Sequence, residues 1–230
     1  VEILRGPQGT LFGKNTTGGA INMVSKKPSN DLEGNLKAEF GNYDLRNISG
    51  VLNIPMVDEQ LAARISVNRS DRDGYAKNLT TGSDLGFIDQ TSWRAQLLYT
   101  PRENTEFRLI IDGLDSEATF FQGETLAGDS EPFTYFNTYD PVVENDGESV
   151  ALIAEHSFDS GYTLASISSW REYSAHLTRD NDYTPADGLR QDLQTNQKNI
   201  SQELRIASPV DEKFDYVAGL YFFDHEFFLG

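Results

Sequence analysis

Residues 1–28, VEILRGPQGTLFGKNTTGGAINMVSKKP, carry the most informative pattern in this chain. Residues typical of β-strands flank a run of glycines, and no helical periodicity is present. Glycine at this density indicates a backbone that turns through positive φ or passes close to another segment. The stretch therefore predicts a glycine-rich segment that needs an outside wall to hold it. Five glycines fall within fourteen positions: Gly6, Gly9, Gly13, Gly18 and Gly19.

A glycine-rich loop with a lysine also raises the question of phosphate binding. A P-loop requires G-x-x-x-x-G-K-[ST] at the start of a helix. Here only three residues separate Gly9 from Gly13, and Asn15 follows Lys14 where the motif needs a hydroxyl. Residues 18–24 predict a strand rather than a helix. The sequence therefore argues against a nucleotide site.

Residues 1–28 closely resemble the end of the plug domain of TonB-dependent outer-membrane receptors, from Val-Glu-x-Leu-Arg-Gly-Pro to Gly-Gly-Ala-Ile-Asn. One small departure is Lys14, where family members often carry arginine, so the charge is kept. The resemblance implies a plug lodged in a barrel and moved by the periplasmic TonB–ExbB–ExbD complex, whose contact site would lie upstream. It gives a structural and gating role to Arg5, Gly6, Pro7, Gly9, Gly13, Lys14, Gly18 and Gly19.

Composition is compatible with this resemblance. The chain has 230 residues and a net charge of −17, which argues against nucleic acid as a partner. It contains no cysteine, and this excludes disulfides and thiolate metal sites. The chain contains no run of about 18 apolar residues, so it has no predicted transmembrane helix. The alternating strands of a membrane barrel would escape that test.

From Leu32 onward, apolar residues recur with a period of two, which predicts about nine strands of membrane-crossing length. Residues 36–40 and 48–54 alternate more weakly, and residues 162–173 leave the choice of face open. The clearest faces are Leu61, Ala63, Ile65 and Val67; Trp93, Ala95, Leu97 and Tyr99; Phe107, Leu109 and Ile111; Val150, Leu152, Ala154, His156 and Phe158; Ile200, Gln202, Leu204 and Ile206; and Phe214, Tyr216, Ala218, Leu220 and Phe222.

The predicted connections alternate in length, as the short periplasmic turns and long outer loops of an outer-membrane barrel do. A soluble β-sandwich also alternates, but loops of twenty to thirty residues on one side are uncommon there. Short connections are predicted at 55–60, 101–105, 159–161 and 209–213, and long ones at 71–90, 115–148 and 176–197. The first outer connection, 41–46, is brief.

The fold class predicted is thus all-β: a partial antiparallel transmembrane barrel after a piece of plug. Residues 1–31 are assigned to the plug and residues 32–230 to the first part of the barrel. Plugged transporters use about 22 strands, so we expect the remaining strands, and an export signal, outside this chain. Aromatic residues expected at the membrane boundary are Trp93, Tyr99, Trp170, Tyr173, Tyr216 and Tyr221.

Substrate contacts are expected in the outer loop 115–148, which holds nine acidic side chains and no lysine or arginine. Such a loop could attract cationic or metal-bearing substrates, or bridge divalent cations to lipopolysaccharide; a solvated acidic loop is the alternative. No Ca²⁺-type ligand spacing is present. The six interleaved aromatic residues assigned to substrate are Phe120, Phe121, Phe133, Tyr135, Phe136 and Tyr139.

Other polar residues suggest no catalysis and no metal site. The three histidines are far apart; His176 is expected in an outer loop, and His156 and His225 in strands. Lumen-facing positions are expected for Glu155, Glu203 and Arg205, with Arg5 and Lys14 of the plug as candidate ion-pair partners.

The sequence therefore predicts a receptor of the bacterial outer membrane, surrounded by lipid and lipopolysaccharide, that takes up a scarce solute and is not an enzyme. A ferric siderophore is the cargo expected from the resemblance. Carbohydrate, haem and cobalamin remain alternatives, and a soluble β-sheet adhesin is the alternative in another class.

Overall fold

The computed structural model describes residues 1–9, 16–119, 131–181, 186–210 and 214–230. These residues form an all-β structure. In them, no helix is long and apolar enough to cross a membrane. The strands are β1 (Glu2–Arg5), β2 (Gly19–Asn22), β3 (Glu33–Gly41), β4 (Leu45–Val57), β5 (Leu61–Arg72), β6 (Ala76–Asn78), β7 (Asp84–Leu85), β8 (Ile88–Arg102), β9 (Thr105–Thr119), β10 (Thr134–Tyr135), β11 (Val142–Ser157), β12 (Thr163–Asp180), β13 (Arg190–Ala207) and β14 (Val217–Leu229).

Nine strands form one antiparallel sheet in the order β14-β13-β12-β11-β9-β8-β5-β4-β3. Each strand pairs with the sheet strands that precede and follow it in the chain, so the sheet is a meander. The remaining strands form the β1–β2 hairpin and a small sheet, β10-β6-β7. The predicted fold class and the number of barrel strands are confirmed.

The two faces of the large sheet differ in chemistry. Residues 26–31 lie along one face, which we call the inner face. The opposite, outer face carries apolar side chains aligned across strands, as in the row Ala63, Leu97, Leu109 and Leu152. Large apolar residues exposed by 36–78% on this face include Leu36, Leu52, Ile65, Val67, Trp93, Leu97, Tyr99, Phe107, Val150, Leu152, Ile200 and Leu204.

The outer face becomes charged toward the long-loop end of the strands. Strands β12 and β13 have 18 residues each, more than the roughly 9–11 that a tilted bilayer crossing needs. Their upper ends therefore extend beyond the apolar band. One charged row crosses six strands there: Arg46, Asp71, Asp89, Glu117, Glu144 and His176.

These long strands correct the predicted connections. The strands that flank the three long connections extend to Arg72, Ile88, Thr119, Val142, Asp180 and Arg190, so the polar residues at both ends of each predicted long connection belong to strands. His176, expected in a loop, lies in β12. The short turns at 58–60, 103–104 and 158–162 lie where they were predicted. Strand β14 begins at Val217, so Phe214 and Tyr216, which were predicted as part of its alternating face, precede the strand. Residues 162–173 now have a defined orientation, with Ser168 and Trp170 on the outer face.

The aromatic residues expected at the membrane boundary divide between the two faces. Trp93, Tyr99 and Trp170 lie on the outer face. Tyr173 and Tyr221 lie on the inner face, so their prediction as boundary residues was wrong. Alternation alone did not reveal the error because both faces of the last three strands carry large side chains.

The β1–β2 hairpin shows why two of its glycines, Gly6 and Gly19, are needed. Gly6 has φ +82° and Gly19 has φ +138°, and a Cβ on Gly19 would lie 2.5 Å from the carbonyl oxygen of Leu4. A Cβ at Gly9 or Gly18 would meet no atom within 4 Å. Gly13 and Lys14 lie outside the described residues. The assignment of residues 1–31 to a plug stays a prediction.

The face assignment predicts unequal costs for a charge on neighbouring residues. Leu152→Arg places a guanidinium in the apolar band, which costs about 2–4 kcal/mol near the bilayer midplane. Ala151→Arg places the same group on the inner face and should cost far less. Urea unfolding of the full-length protein refolded in lipid vesicles measures both. Equal destabilisation by the two variants would contradict the assignment.

Candidate functional site: the inner face and the outer loop layer

A buried asparagine fastens the chain to the inner face. Asn53 on β4 is fully buried, and its Nδ2 donates to the carbonyl oxygens of Ser29, at 2.8 Å, and Asp31, at 2.7 Å. Its Oδ1 accepts from the Ser29 amide at 3.1 Å. One side chain thus satisfies three backbone groups that are otherwise without sheet partners. Residues 26–31 are held at a fixed place on the wall.

The same segment is also held electrostatically. Gln96 Nε2 on β8 donates to the carbonyl oxygen of Lys26 at 3.1 Å. Lys27 Nζ lies 2.6 Å from Glu106 Oε1 on β9, and Lys26 Nζ lies 2.5 Å from Glu33. The segment therefore contacts four strands of the sheet: β3, β4, β8 and β9.

Polar side chains occupy much of the inner face, as expected for the wall of a water-filled or plugged lumen, although apolar residues such as Leu98, Ile110 and Ile153 also lie on it. Its central charges are paired: Arg94 forms an ion pair with Asp112, which also accepts from Ser149 Oγ at 2.7 Å. Glu203 and Arg205, expected on this face, lie 3.6 Å apart. Uncharged polar residues of this face include Ser49, Asn53, Ser66, Asn68, Ser92, Gln96, Ser149, Ser169, Asn199 and Ser201. Glu155 also lies here, and ion pairs with Arg5 and Lys14 stay a prediction.

Above the sheet, the outer connections fold against one another. We call the described residues 42–44, 73–87, 131–141, 181 and 186–189 the loop layer. Its small core consists of Ala76, Leu85 and Tyr135, all at most 3% exposed, with Tyr75 against them. Gly86, at φ +84°, leaves room for the Tyr75 ring, which a Cβ there would overlap.

Buried polar contacts join successive parts of the loop layer. Asn78 Nδ2 donates to the carbonyl oxygen of Asn137 at 2.9 Å and to Asp140 Oδ1 at 2.8 Å. The Thr138 amide donates to Asp180 Oδ2 at 2.8 Å. These bonds join the connections 73–87 and 131–141 to each other and to the end of β12. The loop layer is thus one interlocked structure rather than a set of independent loops.

The residues assigned to substrate occupy different positions in this layer. Tyr135 is 2% exposed and packs in the core of the layer, whereas Phe133 is 52% exposed and meets the Tyr75 ring edge-on at 5.9 Å. Phe136 is partly exposed, at 38%. Phe120 and Phe121 lie outside the described residues. Contact of these residues with substrate stays a prediction.

Tyr139 joins two connections through polar groups. Its hydroxyl donates to Asp187 Oδ1 at 2.6 Å, and the Arg190 guanidinium lies 4.9 Å from its ring centre. The hydrogen bond to Asp187 raises the pKa of Tyr139. The phenol therefore stays protonated and able to donate.

His176 is located between two carboxylates beyond the apolar band. Its Nδ1 lies 3.0 Å from Glu144 Oε2 on β11, and its Nε2 lies 2.7 Å from Asp192 Oδ1 on β13. The hydrogen bond to Glu144, followed by that to Asp192, raises the pKa of His176. No group of three or more His, Cys, Asp or Glu residues in the described part of the chain is arranged to hold a metal ion.

Comparison with known proteins identifies relatives of this chain. No protein-family model matches the chain. It is 28% identical over 235 residues to the pesticin receptor of Yersinia pestis, covering 96% of this chain and 33% of that protein. It is 36% identical over 174 residues to the ferrioxamine B receptor of Salmonella typhimurium LT2, covering 71% and 24%. The chain thus spans about a third or less of these curated relatives.

The crystal structure of the ferric yersiniabactin uptake receptor FyuA from Yersinia pestis superimposes with a TM-score of 0.79 at 26% identity, covering 97% of this chain and 35% of that one. The chain belongs to the TonB-dependent outer-membrane receptors. The receptor resides in the bacterial outer membrane, and the relatives named here are receptors rather than enzymes. The sequence had indicated the family, but it had not indicated Asn53 or Gln96, since a single amide in an alternating strand looks like any other polar position.

The anchor on the inner face yields a first prediction for the site. Asn53→Ala removes three hydrogen bonds at a buried position and should lower the free energy of unfolding of the full-length receptor by about 1–3 kcal/mol. Asn35→Ala, at an exposed position of β3, is the matched control and should have little effect. Thermal unfolding in detergent measures both variants. A similar loss for both would remove the special role of Asn53.

The loop layer yields a second prediction. Gly86→Ala introduces a Cβ at positive φ against the Tyr75 ring and should loosen the layer while leaving the sheet intact. Limited proteolysis of the full-length receptor in outer membranes should then cleave within the outer connections faster than in the parent protein. Gly82→Ala, also at positive φ but with no atom within 4 Å, controls for backbone strain alone. Unchanged cleavage of Gly86→Ala would show that the layer does not depend on this contact.

His176 yields a prediction for pH dependence. Because its pKa is raised in the folded receptor, protonated His176 stabilises the β11–β12–β13 contact fully below the unfolded pKa. This contribution is lost as the pH rises through the raised folded value. Urea unfolding between about pH 5 and 9 should show it. His176→Gln should remove this part of the pH dependence, whereas His156→Gln, whose ring contacts Thr105 and Phe158, should keep it. If His176→Gln and the parent receptor showed the same pH dependence of unfolding, His176 would not be the group responsible.

Proposed function

We propose that the whole receptor binds an extracellular ferric siderophore and releases it to the periplasm through energised movement of a plug. The observation that carries this proposal is the match to the pesticin receptor over 96% of the chain, together with relatives and structures named for ferrioxamine B and ferric yersiniabactin. A polar inner face, an apolar outer face and an interlocked loop layer support it. Carbohydrate, haem or cobalamin are the competing cargoes.

Each part of the proposed receptor corresponds to a continuous range of residues. Residues 1–31 form the end of the plug, and residues 32–230 form barrel wall. The attachment of residues 26–31 to four strands supports this boundary, because a moving plug needs a fixed point where the chain joins the wall. The TonB–ExbB–ExbD complex is the proposed source of energy, and lipopolysaccharide is the proposed neighbour of the charged outer row. Phe133, Phe136 and Tyr139 are the described residues proposed to meet cargo.

Uptake of radioactive iron by whole cells tests the proposal. A strain that lacks the receptor gene should accumulate less iron from its siderophore than the parent strain, and the full-length gene should restore uptake. A protonophore should stop uptake while leaving binding at the cell surface unchanged. Cells without the receptor could instead take up iron normally but fail to grow on a carbohydrate, haem or cobalamin. That nutrient would then replace the siderophore as the proposed cargo. Absence of the protein from outer-membrane fractions would favour the soluble adhesin.

A second function is favoured by the name of one relative. One relative is named as the receptor of pesticin, one solved structure holds a related receptor in complex with pyocin S2, and the loop layer offers a structured surface for such a ligand. We propose that bacteriocins use this receptor as well. Killing assays with strains that differ only in this gene test the proposal, and equal sensitivity across a panel of bacteriocins would reject it.

A further inference from the structure

Three aromatic rings form a contiguous patch on the loop layer. The ring centres of Tyr43 and Tyr75 lie 6.1 Å apart, and those of Tyr75 and Phe133 lie 5.9 Å apart. We call these three residues the ring patch. Tyr43 is 54% exposed and Phe133 is 52% exposed, whereas Tyr75 lies between them against the core of the layer. Exposed aromatic side chains that are held in place are typical of surfaces that bind other proteins.

Backbone contacts hold the two outer rings of the patch. Tyr43 occupies the turn between β3 and β4 at φ +60°, and its carbonyl oxygen accepts from the Asp73 amide at 2.8 Å. Phe133 has φ +61°, and its carbonyl oxygen accepts from the Lys77 amide at 2.8 Å. Positive φ is uncommon for such residues and persists only where the surrounding structure enforces it. Little ordering of this backbone would therefore be needed on binding.

The ring patch already holds one guanidinium of the receptor itself. Arg72 Cζ lies 5.4 Å from the centre of the Tyr75 ring, and Arg72 Nη2 donates to the carbonyl oxygen of Gly86 at 2.6 Å. A planar cation and the electron-rich face of a phenol ring attract each other. The exposed ring of Tyr43 offers the same chemistry to an arginine that comes from outside.

Two exposed carboxylates accompany the rings. The backbone hydrogen bond places Asp73 next to Tyr43. Glu131 begins the turn that contains Phe133, since its carbonyl oxygen accepts from the Thr134 amide at 3.3 Å. Asp73 and Glu131 form no ion pair with any residue in the described part of the chain, so their charges are available to an incoming cation. The other acidic residues nearby are paired, as Asp44 with Arg46 and Asp84 with Lys77.

We propose that the ring patch and these two carboxylates form the contact site for an arginine-bearing segment of a bacteriocin. This inference rests on the second proposed function and locates its binding site. One guanidinium stacks on the ring of Tyr43 and makes charge-assisted hydrogen bonds to Asp73. A second cation faces Glu131, and apolar side chains of the same segment pack against Phe133. A lysine would gain less from the ring face, because its ammonium group is compact and strongly hydrated.

Binding of radiolabelled bacteriocins to outer-membrane vesicles that contain the full-length receptor tests the site. The probes are a panel that includes pesticin and pyocin S2, and vesicles without the receptor give the background. Tyr43→Leu keeps an apolar side chain but removes the ring, and should weaken binding about three- to tenfold. Asp73→Asn keeps the shape but removes the charge. It should weaken binding by a similar factor and reduce its dependence on salt.

Chemical blocking of the probes identifies the partner side chain. Cyclohexanedione blocks arginine, and acetic anhydride blocks lysine. Arginine-blocked probes should bind the parent receptor less well, and Tyr43→Leu should cause no further loss with them. Lysine-blocked probes should still lose affinity when Tyr43 is replaced. Dependence on Tyr43 that survives the blocking of arginine would reject an arginine as the partner.

Matched controls lie at the opposite end of the strands. Tyr99→Leu removes an exposed ring from the outer face of β8, and Glu103→Gln removes an exposed carboxylate from the turn between β8 and β9. Both variants should bind the probes like the parent receptor. Losses in these controls that equal those of Tyr43→Leu and Asp73→Asn would overturn the proposal.

Iron uptake by whole cells separates this site from the functions proposed above. Phe133 is shared with the contacts proposed for cargo, but Tyr43 and Asp73 are not, so their variants should take up iron normally. Loss of iron uptake with unchanged bacteriocin binding would assign the ring patch to the cargo and overturn the proposal. Receptor-dependent binding that both variants retain would leave the second function in place and reject this site. Failure of the parent receptor to bind any probe would reject the second function and the site together.

Discussion

Antiparallel backbone pairing in a single register is the constraint on which the rest of this structure depends. Where a sheet crosses a bilayer, every backbone donor and acceptor must find its partner in a neighbouring strand. The register then fixes which side chains share a face, since a shift by one residue would exchange the two faces. The apolar row through Leu97 and Leu152 and the anchor at Asn53 both follow from this one arrangement.

The same constraint explains which features were predictable from sequence. Period-two alternation identified the nine strands, their antiparallel order and the short turns, because hydrocarbon on one side demands apolar residues there. It failed at the strand ends, where Glu117, Glu144 and His176 continue the pairing outside the apolar band. Strands continue to pair by backbone hydrogen bonds outside the membrane, but their side chains there no longer alternate between apolar and polar. The predicted loops were therefore too long.

The site was less accessible to sequence reasoning. The loop layer is built by contacts between connections that are about sixty residues apart, such as Asn78 with Asp140. No local pattern encodes such contacts, and the burial of Tyr135 could not be distinguished from the exposure of Phe133. Strand β14 was predicted from the alternation of Ala218, Leu220 and Phe222, whereas the rings of Phe223 and Phe227 on its other face were not singled out. Both faces of this strand are rich in aromatic side chains, so periodicity gave no orientation.

The attachment of the chain to four strands also has a consequence for the order of assembly. Every pairing in the large sheet joins strands that follow one another in the chain, so the wall can grow hairpin by hairpin with little loop-closure entropy. The contacts of Lys26 with Gln96 and of Lys27 with Glu106 instead bridge 70 and 79 residues. They form only after β8 and β9 are in place. The residues that precede Lys26 thus remain unfastened through the early stages of folding, and they take up their final position on a wall that already exists.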